Sequence, residues 1–199
     1  MNKLAEAVCY WLSYKAATGT AHLLTEGSLS IPIAESLFFH RWEIHAEKDY
    51  HEIFPSIVAK TIYTDFYATK ENERLVLETK FFKSSSQNRV FNDIVRLGLA
   101  EADSVQRVLL RAWSSNVKPW KHFERLLSLN EGDIFTIDPV QCLFDCEGLS
   151  VVLGENKLEF EKLHHLRDPA ATNKIQVTCT GVTRTKNYYG AAEYSIAPI

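Results

Sequence analysis

Three side chains stand out as able to do chemistry together: Asp65, Glu78 and Lys80. The polar stretch TKENE separates two runs rich in β-branched and aromatic residues, IVAKTIYTDFY (57–67) and RLVLETKFF (74–82), the pattern of paired strands. An antiparallel hairpin with its tip between Glu71 and Asn72 places Asp65 opposite Glu78. Side chains so opposed lie ~5 Å apart at Cβ, where like charges repel. Along the second strand Glu78 and Lys80 project to one side with Val76 and Phe82, while Leu75, Leu77, Thr79 and Phe81 line the other. A strand that is apolar on one face and nearly so on the other belongs in the middle of a sheet, and unpaired carboxylates there cost several kcal/mol. A hard divalent cation resolves the conflict. Two carboxylates, a backbone carbonyl for which Thr79 is the candidate, water and a substrate phosphate suit Mg²⁺ or Mn²⁺. Lys80 would then orient an attacking water or steady charge developing on phosphorus. The same letters also suit an exposed edge hairpin in which Lys80 simply pairs a carboxylate.

The elements around this hairpin follow from hydrophobic period. Leu4, Val8, Trp11 and Leu12 recur at helical spacing over residues 3–18, and Gly19 follows as a stop. Leu29, Ile33 and Leu37 mark a second helix over 25–40, with Pro32 at a kink or in a first turn. In RWEIHAEKDY, Trp42, Ile44 and Ala46 alternate with polar neighbours as in a strand. Helical period returns over 86–100 with Val90, Phe91, Ile94, Val95 and Leu97, and 105–113 (VQRVLLRAW) is a further strand. The order is helix, helix, three strands, helix, strand, which predicts an α/β (α+β) domain with a mixed sheet flanked by helices. Beyond residue 114 a helix over 119–129, short strands at DIFTI and SVVL, a helix over 158–166 and a terminal hairpin over 174–196 are expected, as an elaboration of one domain spanning 1–199.

Asp65, the hairpin interval and Glu78-Thr79-Lys80 on an apolar strand resemble the PD-(D/E)XK nuclease superfamily. The resemblance covers about residues 20–113. It implies a restriction-endonuclease-like fold: a helix before a strand meander, the Asp at the end of the second strand, E-x-K in the third, then a helix and a fourth strand. NDIVRL (92–97) also resembles the helix that follows E-x-K in several bacterial branches, while the Pro that often precedes the Asp is Thr64 here. The implied activity is Mg²⁺- or Mn²⁺-dependent hydrolysis of phosphodiester bonds in DNA, with Asp65 and Glu78 as metal ligands and Lys80 positioning the water. A further acid is implied on the preceding helix. Glu26 shares a face with Leu29, Ile33 and Leu37, and Glu35 shares one with Ile31 and Phe38, with Glu26 the better placed. Either would equally serve as a carboxylate near a helix N-terminus. A homodimer is implied only by analogy with enzymes that cut two strands.

The remaining residues set bounds. With 46% hydrophobic and 24% charged residues, 8 Gly and 6 Pro, the chain is neither collagen-like nor disordered in bulk. Because 22 Lys and Arg face 25 Asp and Glu, net −3, any polyanion must be gripped by a local patch. Arg184, Lys186, Tyr188 and Tyr189 in RTKNYYG pair cations with rings that stack on bases, although RTKNYYG also fits a solvated tip. Gln87, Asn92, Asp93 and Arg96 extend from the helix after RLVLETKFF toward the site, with Arg96 a further nucleic-acid contact, although Asp93 and Arg96 also fit a surface i,i+3 pair. Cys142 and Cys146, even with His164 and His165, lack the second paired knuckle of a zinc site, and the four cysteines read as reduced thiols. Glu6 interrupts the apolar core a signal peptide needs, and no run approaches membrane-spanning length, so a cytoplasmic protein is expected.

Overall fold

The computed structural model describes residues 4–54, 63–82, 90, 93–94, 96–98, 104–114, 130–138, 143–144, 174–185 and 189–198. Helix α1 (Leu4–Ala17) buries Leu4, Ala5, Val8, Cys9 and Leu12 on one face. Its end is a Schellman motif: Gly19 takes φ 73°, its N–H donates to Ala16 O and that of Thr20 donates to Lys15 O. A turn of 3₁₀ helix at Gly27–Leu29 leads into α2 (Ser30–Phe39), where Pro32 sits in the first turn and does not kink the helix. The same cap closes α2, with Arg41 at φ 64° and the Trp42 amide donating to Leu37 O.

Next come β1 (Glu43–Ala46), a single-turn helix α3 (Tyr50–Ile53), β2 (Phe66–Lys70), β3 (Glu73–Phe82), β4 (Val105–Trp113), β5 (Ile134–Asp138), β6 (Leu143–Phe144), β7 (Ile175–Arg184) and β8 (Gly190–Pro198). They form one eight-stranded mixed sheet in the order β1-β2-β3-β4-β8-β7-β5-β6. The β2–β3 register is the expected one: Phe66 faces Leu77 and Lys70 faces Glu73 across a two-residue tip whose Glu71 takes φ 53°. Strand β4 runs parallel to β3, and the residues described between them at 90, 93–94 and 96–98 are helical, as a parallel crossover requires. Every other pairing is antiparallel. Strand β8, from the C-terminal part of the chain, pairs directly with β4, so both parts of the sequence build one sheet. The chain is thus a mixed α+β structure.

The two sheet faces differ. Leu75, Leu77 and Phe81 of β3 join Val108, Leu110 and Ala112 of β4 in a core covered by α1 and α2. Helical residues Val90, Ile94 and Leu97 are buried over the other face. That helix comes close to the sheet at Gly98, where a Cβ would meet Ile175 Cδ1 at 2.5 Å. Among the described residues no helix is long and apolar enough to cross a membrane. The expected helices over 119–129 and 158–166 and the strand at SVVL lie outside the described residues, as do Cys142, Cys146, His164 and His165.

Candidate functional site

Strand β3 is central, so the edge-hairpin alternative does not hold. Glu78 is 1% exposed and Lys80 9%. Around them the fold assembles Glu26, Tyr50, Asp65, Thr79, Asp93 and Arg96.

Asp65 sits one residue before β2, held by its neighbours. The Thr64 hydroxyl donates to Phe66 O at 3.0 Å and to Leu77 O at 3.2 Å, and its amide donates to Lys48 O at 2.9 Å. Thr64, where the nuclease pattern often has Pro, thus ties the end of the β2–β3 ladder together. Asp65 Oδ2 then accepts from the Thr79 amide at 2.7 Å and the Thr79 hydroxyl at 2.8 Å. The carboxylate takes the place of the next rung of the ladder.

The two acids expected to need a metal already have organic partners. Glu78 Oε1 accepts from the Tyr50 hydroxyl at 2.7 Å, and Oε2 lies 2.8 Å from Arg96 Nη2. Lys80 Nζ contacts Asp93 Oδ2 at 2.9 Å and Glu26 Oε1 at 3.2 Å, and donates to the Thr79 carbonyl at 2.8 Å. That carbonyl, the candidate backbone ligand, is therefore capped by the ammonium. Glu26 Oε2 also accepts from the Phe81 amide at 3.3 Å. Arg96 Nη2 reaches Asp93 Oδ1 at 2.8 Å, so the expected i,i+3 pair exists but is buried in the site and not on the surface. The Arg96 guanidinium lies 5.0 Å from the centre of the Tyr50 ring.

Electrostatics follow from this count. Four acids, Glu26, Asp65, Glu78 and Asp93, surround two cations, Lys80 and Arg96, so acids outnumber cations in the cluster. Burial pushes Glu78 up to about 8, with Asp93 and Asp65 adding to the rise and Arg96 opposing it. Burial likewise raises Asp93, against the pull of Arg96 and Lys80. Burial alone would lower Lys80, but Asp93, Glu26 and Asp65 outweigh it and raise the ammonium above its usual range. Arg96 is held more firmly protonated for the same reason: Glu78, Tyr50 and Asp93 overcome its burial. Tyr50 is raised well above 10 by burial and by Glu78, so its hydroxyl is a permanent donor.

The residues expected from sequence divide cleanly. Asp65, Glu78, Thr79, Lys80, Glu26 and Arg96 come together. Glu35 does not: it is on the exposed face of α2 with Ile31 and Phe38, lining a groove with Phe39 and Trp42 on the far side of the helix from Leu37. Arg184 is exposed at the end of β7, and Lys186 and Tyr188 lie outside the described residues. Tyr189 is buried in the core, its carbonyl 3.7 Å from Cys9 Sγ, so its ring is not offered to a base. Asp93 and Arg96, which could extend toward the site or pair at the surface, do the former. One member has no sequence signal: Tyr50 sits on a one-turn helix too short to leave a period.

The acid donors are all oxygen, the donor type that hard ions such as Mg²⁺ or Mn²⁺ take. In geometry Arg96 stands on the Glu78 oxygen. Among the described residues no group of three or more His, Cys, Asp and Glu side chains is already arranged around one cation position. Compared with protein-family models, with curated proteins and with solved structures, the chain matches none of them.

Proposed function

We propose that this protein is a metal-dependent nuclease hydrolysing phosphodiester bonds in DNA, with a restriction-endonuclease-like arrangement of β1 to β4. One observation carries the reading: Asp65, Glu78 and Lys80 gather around residues 78–80 of β3, joined by Glu26 from the preceding helical segment, with more acids than cations. A strand order of antiparallel meander followed by a parallel fourth strand supports the same reading. Asp65 and Glu78 would hold Mg²⁺ or Mn²⁺, which would supply a more acidic water and charge neutralisation at the scissile phosphate. Lys80 is fixed by Asp93, Glu26 and the Thr79 carbonyl and stays protonated, so it orients an attacking water or meets developing charge on phosphorus. Tyr50 and Arg96 fix the orientation of Glu78.

Arg184 offers a second contact. Through the register Arg184–Gly190–Trp113–Phe82 it stands three strands from β3, about 14 Å at sheet spacing, at the sheet end where β3 finishes. A DNA strand leaving the site across this end would meet it. A homodimer would supply two such sites for cutting both strands.

A second reading keeps the fold as a non-catalytic nucleic-acid-binding or protein-interaction module. It is favoured by Lys80 and Arg96 already neutralising part of the cluster, and by the net charge of −3. Purified protein incubated with supercoiled, linear and single-stranded DNA and with RNA, in Mg²⁺, Mn²⁺ or EDTA, separates the two. Metal-dependent cutting lost in Glu78→Gln and Lys80→Met supports the nuclease; a salt-sensitive mobility shift without cutting supports the module.

A further inference from the structure

Strand β1 is an edge of the sheet, and among the described residues no strand pairs with its outer side. The Glu47 amide donates to Asp65 O at 3.5 Å, continuing the β1–β2 ladder. By the alternation of an antiparallel ladder, the backbone groups of Glu43 and His45 then face β2, and the N–H and C=O of Ile44 and Ala46 face outward. Beside this edge α2 leaves Phe38 and Phe39 77% and 80% exposed, in a groove they share with Trp42 and Ile44. Open backbone and apolar surface lie side by side, the combination that a further strand with its own apolar cover fills.

The charges on β1 select that strand. Glu43 and His45 flank Ile44 and are exposed on the opposite face from it. Two copies of β1 that pair antiparallel about a two-fold axis, outward groups to outward groups, can centre on Glu43, Ile44 or His45. Centring on Glu43 sets Glu43 against itself, and centring on His45 sets His45 against itself and Glu43 against the second copy's Glu47. Like residues so opposed repel. Centring on Ile44 sets each Glu43 against the second copy's His45 and joins the two Ile44 residues by two N–H···O=C bonds. The same axis keeps Phe38 and Phe39 of both copies on one side of the joined sheet. At ~200 Å² a ring, they offer roughly 600 Å² of apolar surface in a pair, over half of the ~1,000 Å² that a specific interface needs.

We propose that β1 and the Phe38–Phe39 end of α2 form a homodimer interface, in which two copies pair β1 to β1 antiparallel with Ile44 on the two-fold axis and one sheet runs through both. This assignment does not rest on the nuclease reading. It places both Glu78–Lys80 clusters on one face of the joined sheet, with the two β3 strands about 24 Å apart at sheet spacing.

Sedimentation velocity and thiol cross-linking on the full chain test it. Wild type is expected to be a reversible dimer. Phe38→Ser with Phe39→Ser, at exposed positions, should weaken it ~100-fold. His45→Glu, which opposes Glu43 twice in the pair, should weaken it about tenfold, and adding Glu43→Lys should restore it. On oxidation Ile44→Cys should cross-link faster than Glu43→Cys, because directly paired Cα atoms lie ~5.5 Å apart, within disulfide reach, and residues two places out of register do not; wild type controls for the native thiols. A wild type still monomeric at ~1 mM overturns the proposal, whatever foreign strand the edge then takes. A dimer untouched by both the phenylalanine and the His45→Glu changes lies elsewhere and overturns it too, as does equal or reversed cross-linking of the two cysteine variants, a result that stands even if the phenylalanine variant fails to fold.

Discussion

Strand β3 presents two faces built on opposite principles. On one, Leu75, Leu77 and Phe81 pack against α1 and α2 in a dry core. On the other, Glu78 and Lys80 are buried almost as deeply, inside a network of ion pairs with more acids than cations. The apolar face gains stability from burial, at about 25 cal/mol per Å² of apolar surface removed from water. The charged face costs stability, since desolvating carboxylates is returned only in part by their partners. Glu78 pushed up to about 8 is the direct sign of that cost.

Substitutions on the two faces should therefore fail for different reasons. The largest effect is expected from Lys80→Met, which conserves much of the buried stem and removes the ammonium: DNA cleavage should fall ~100-fold or more, and stability should fall by about 3–5 kcal/mol, since the buried Asp93 loses its cation. Gel assays of cutting rate beside calorimetric unfolding check both, and cutting that persists at the wild-type rate would falsify the role of the ammonium. Leu77→Ala, one residue before Glu78 on the opposite face, should cost about 2–5 kcal/mol through the cavity it leaves. Measured by urea unfolding, a loss under about 1 kcal/mol would mean that the core beside α1 and α2 can close over the gap. Its Mn²⁺ affinity below the melting transition should match wild type.

How much of this was readable from sequence depends on whether the signal was local. The β2–β3 register followed from a tip centred between Glu71 and Asn72 and two strongly patterned strands, which brought Asp65 beside Glu78 and Thr79 and put Lys80 on the side of Glu78. Glu26 was traceable because it precedes Leu29, Ile33 and Leu37 on one stripe, and Glu35 shares the exposed stripe of Ile31 and Phe38. The partners of the acids were not readable. Whether Asp93 and Arg96 face solvent or sheet is decided by how the crossover helix lies over β3, including its close approach at Gly98 to Ile175, and no spacing within 86–100 encodes that. A divalent cation, or pairing by Lys80, is the compensation expected for Glu78, and the structure places Arg96 and Tyr50 on it. Neither did the period of β8 reveal that it joins β4 at the centre of the sheet, because strand order is set by tertiary pairing.

Glu193 sharpens the comparison, because it is a carboxylate placed on the apolar side. It lies opposite Leu110 on β8, is 2% exposed, and receives the Thr180 hydroxyl at 3.4 Å along with the Leu4 and Ala5 amides of the first turn of α1. Burial nevertheless dominates and pushes it up to about 7. The folded state thus binds a proton more tightly than the unfolded chain. Its contribution is most favourable below the unfolded value near 4.5 and is lost as pH rises through about 7. Glu193→Gln, which keeps the shape of the protonated acid, should match wild type at pH 5 and exceed it by roughly 1–3 kcal/mol at pH 8. Unfolding curves at the two pH values check this, and equal differences at both would show that the helix amides suffice to hold the charge.

The smallest effect concerns the turn that sets the register on which both faces depend. Glu71 occupies the left-handed region at φ 53° in the two-residue tip, a conformation that costs a residue with a Cβ roughly 1 kcal/mol. Glycine carries no such penalty there but has more freedom to lose from the unfolded chain. Glu71→Gly should therefore stabilise by only a few tenths of a kcal/mol, the difference between those opposing effects. Because the tip is remote from Lys80 and Arg96 along the ladder, Mn²⁺ affinity and cutting should stay at the wild-type level. A shift in either would mean that Phe66 and Leu77 had changed partners, since moving β2 by one residue turns Asp65 to the opposite face. Titration of this variant therefore tests whether the pairing of Asp65 with Glu78, and with it the charged face, depends on the turn or on the strands themselves.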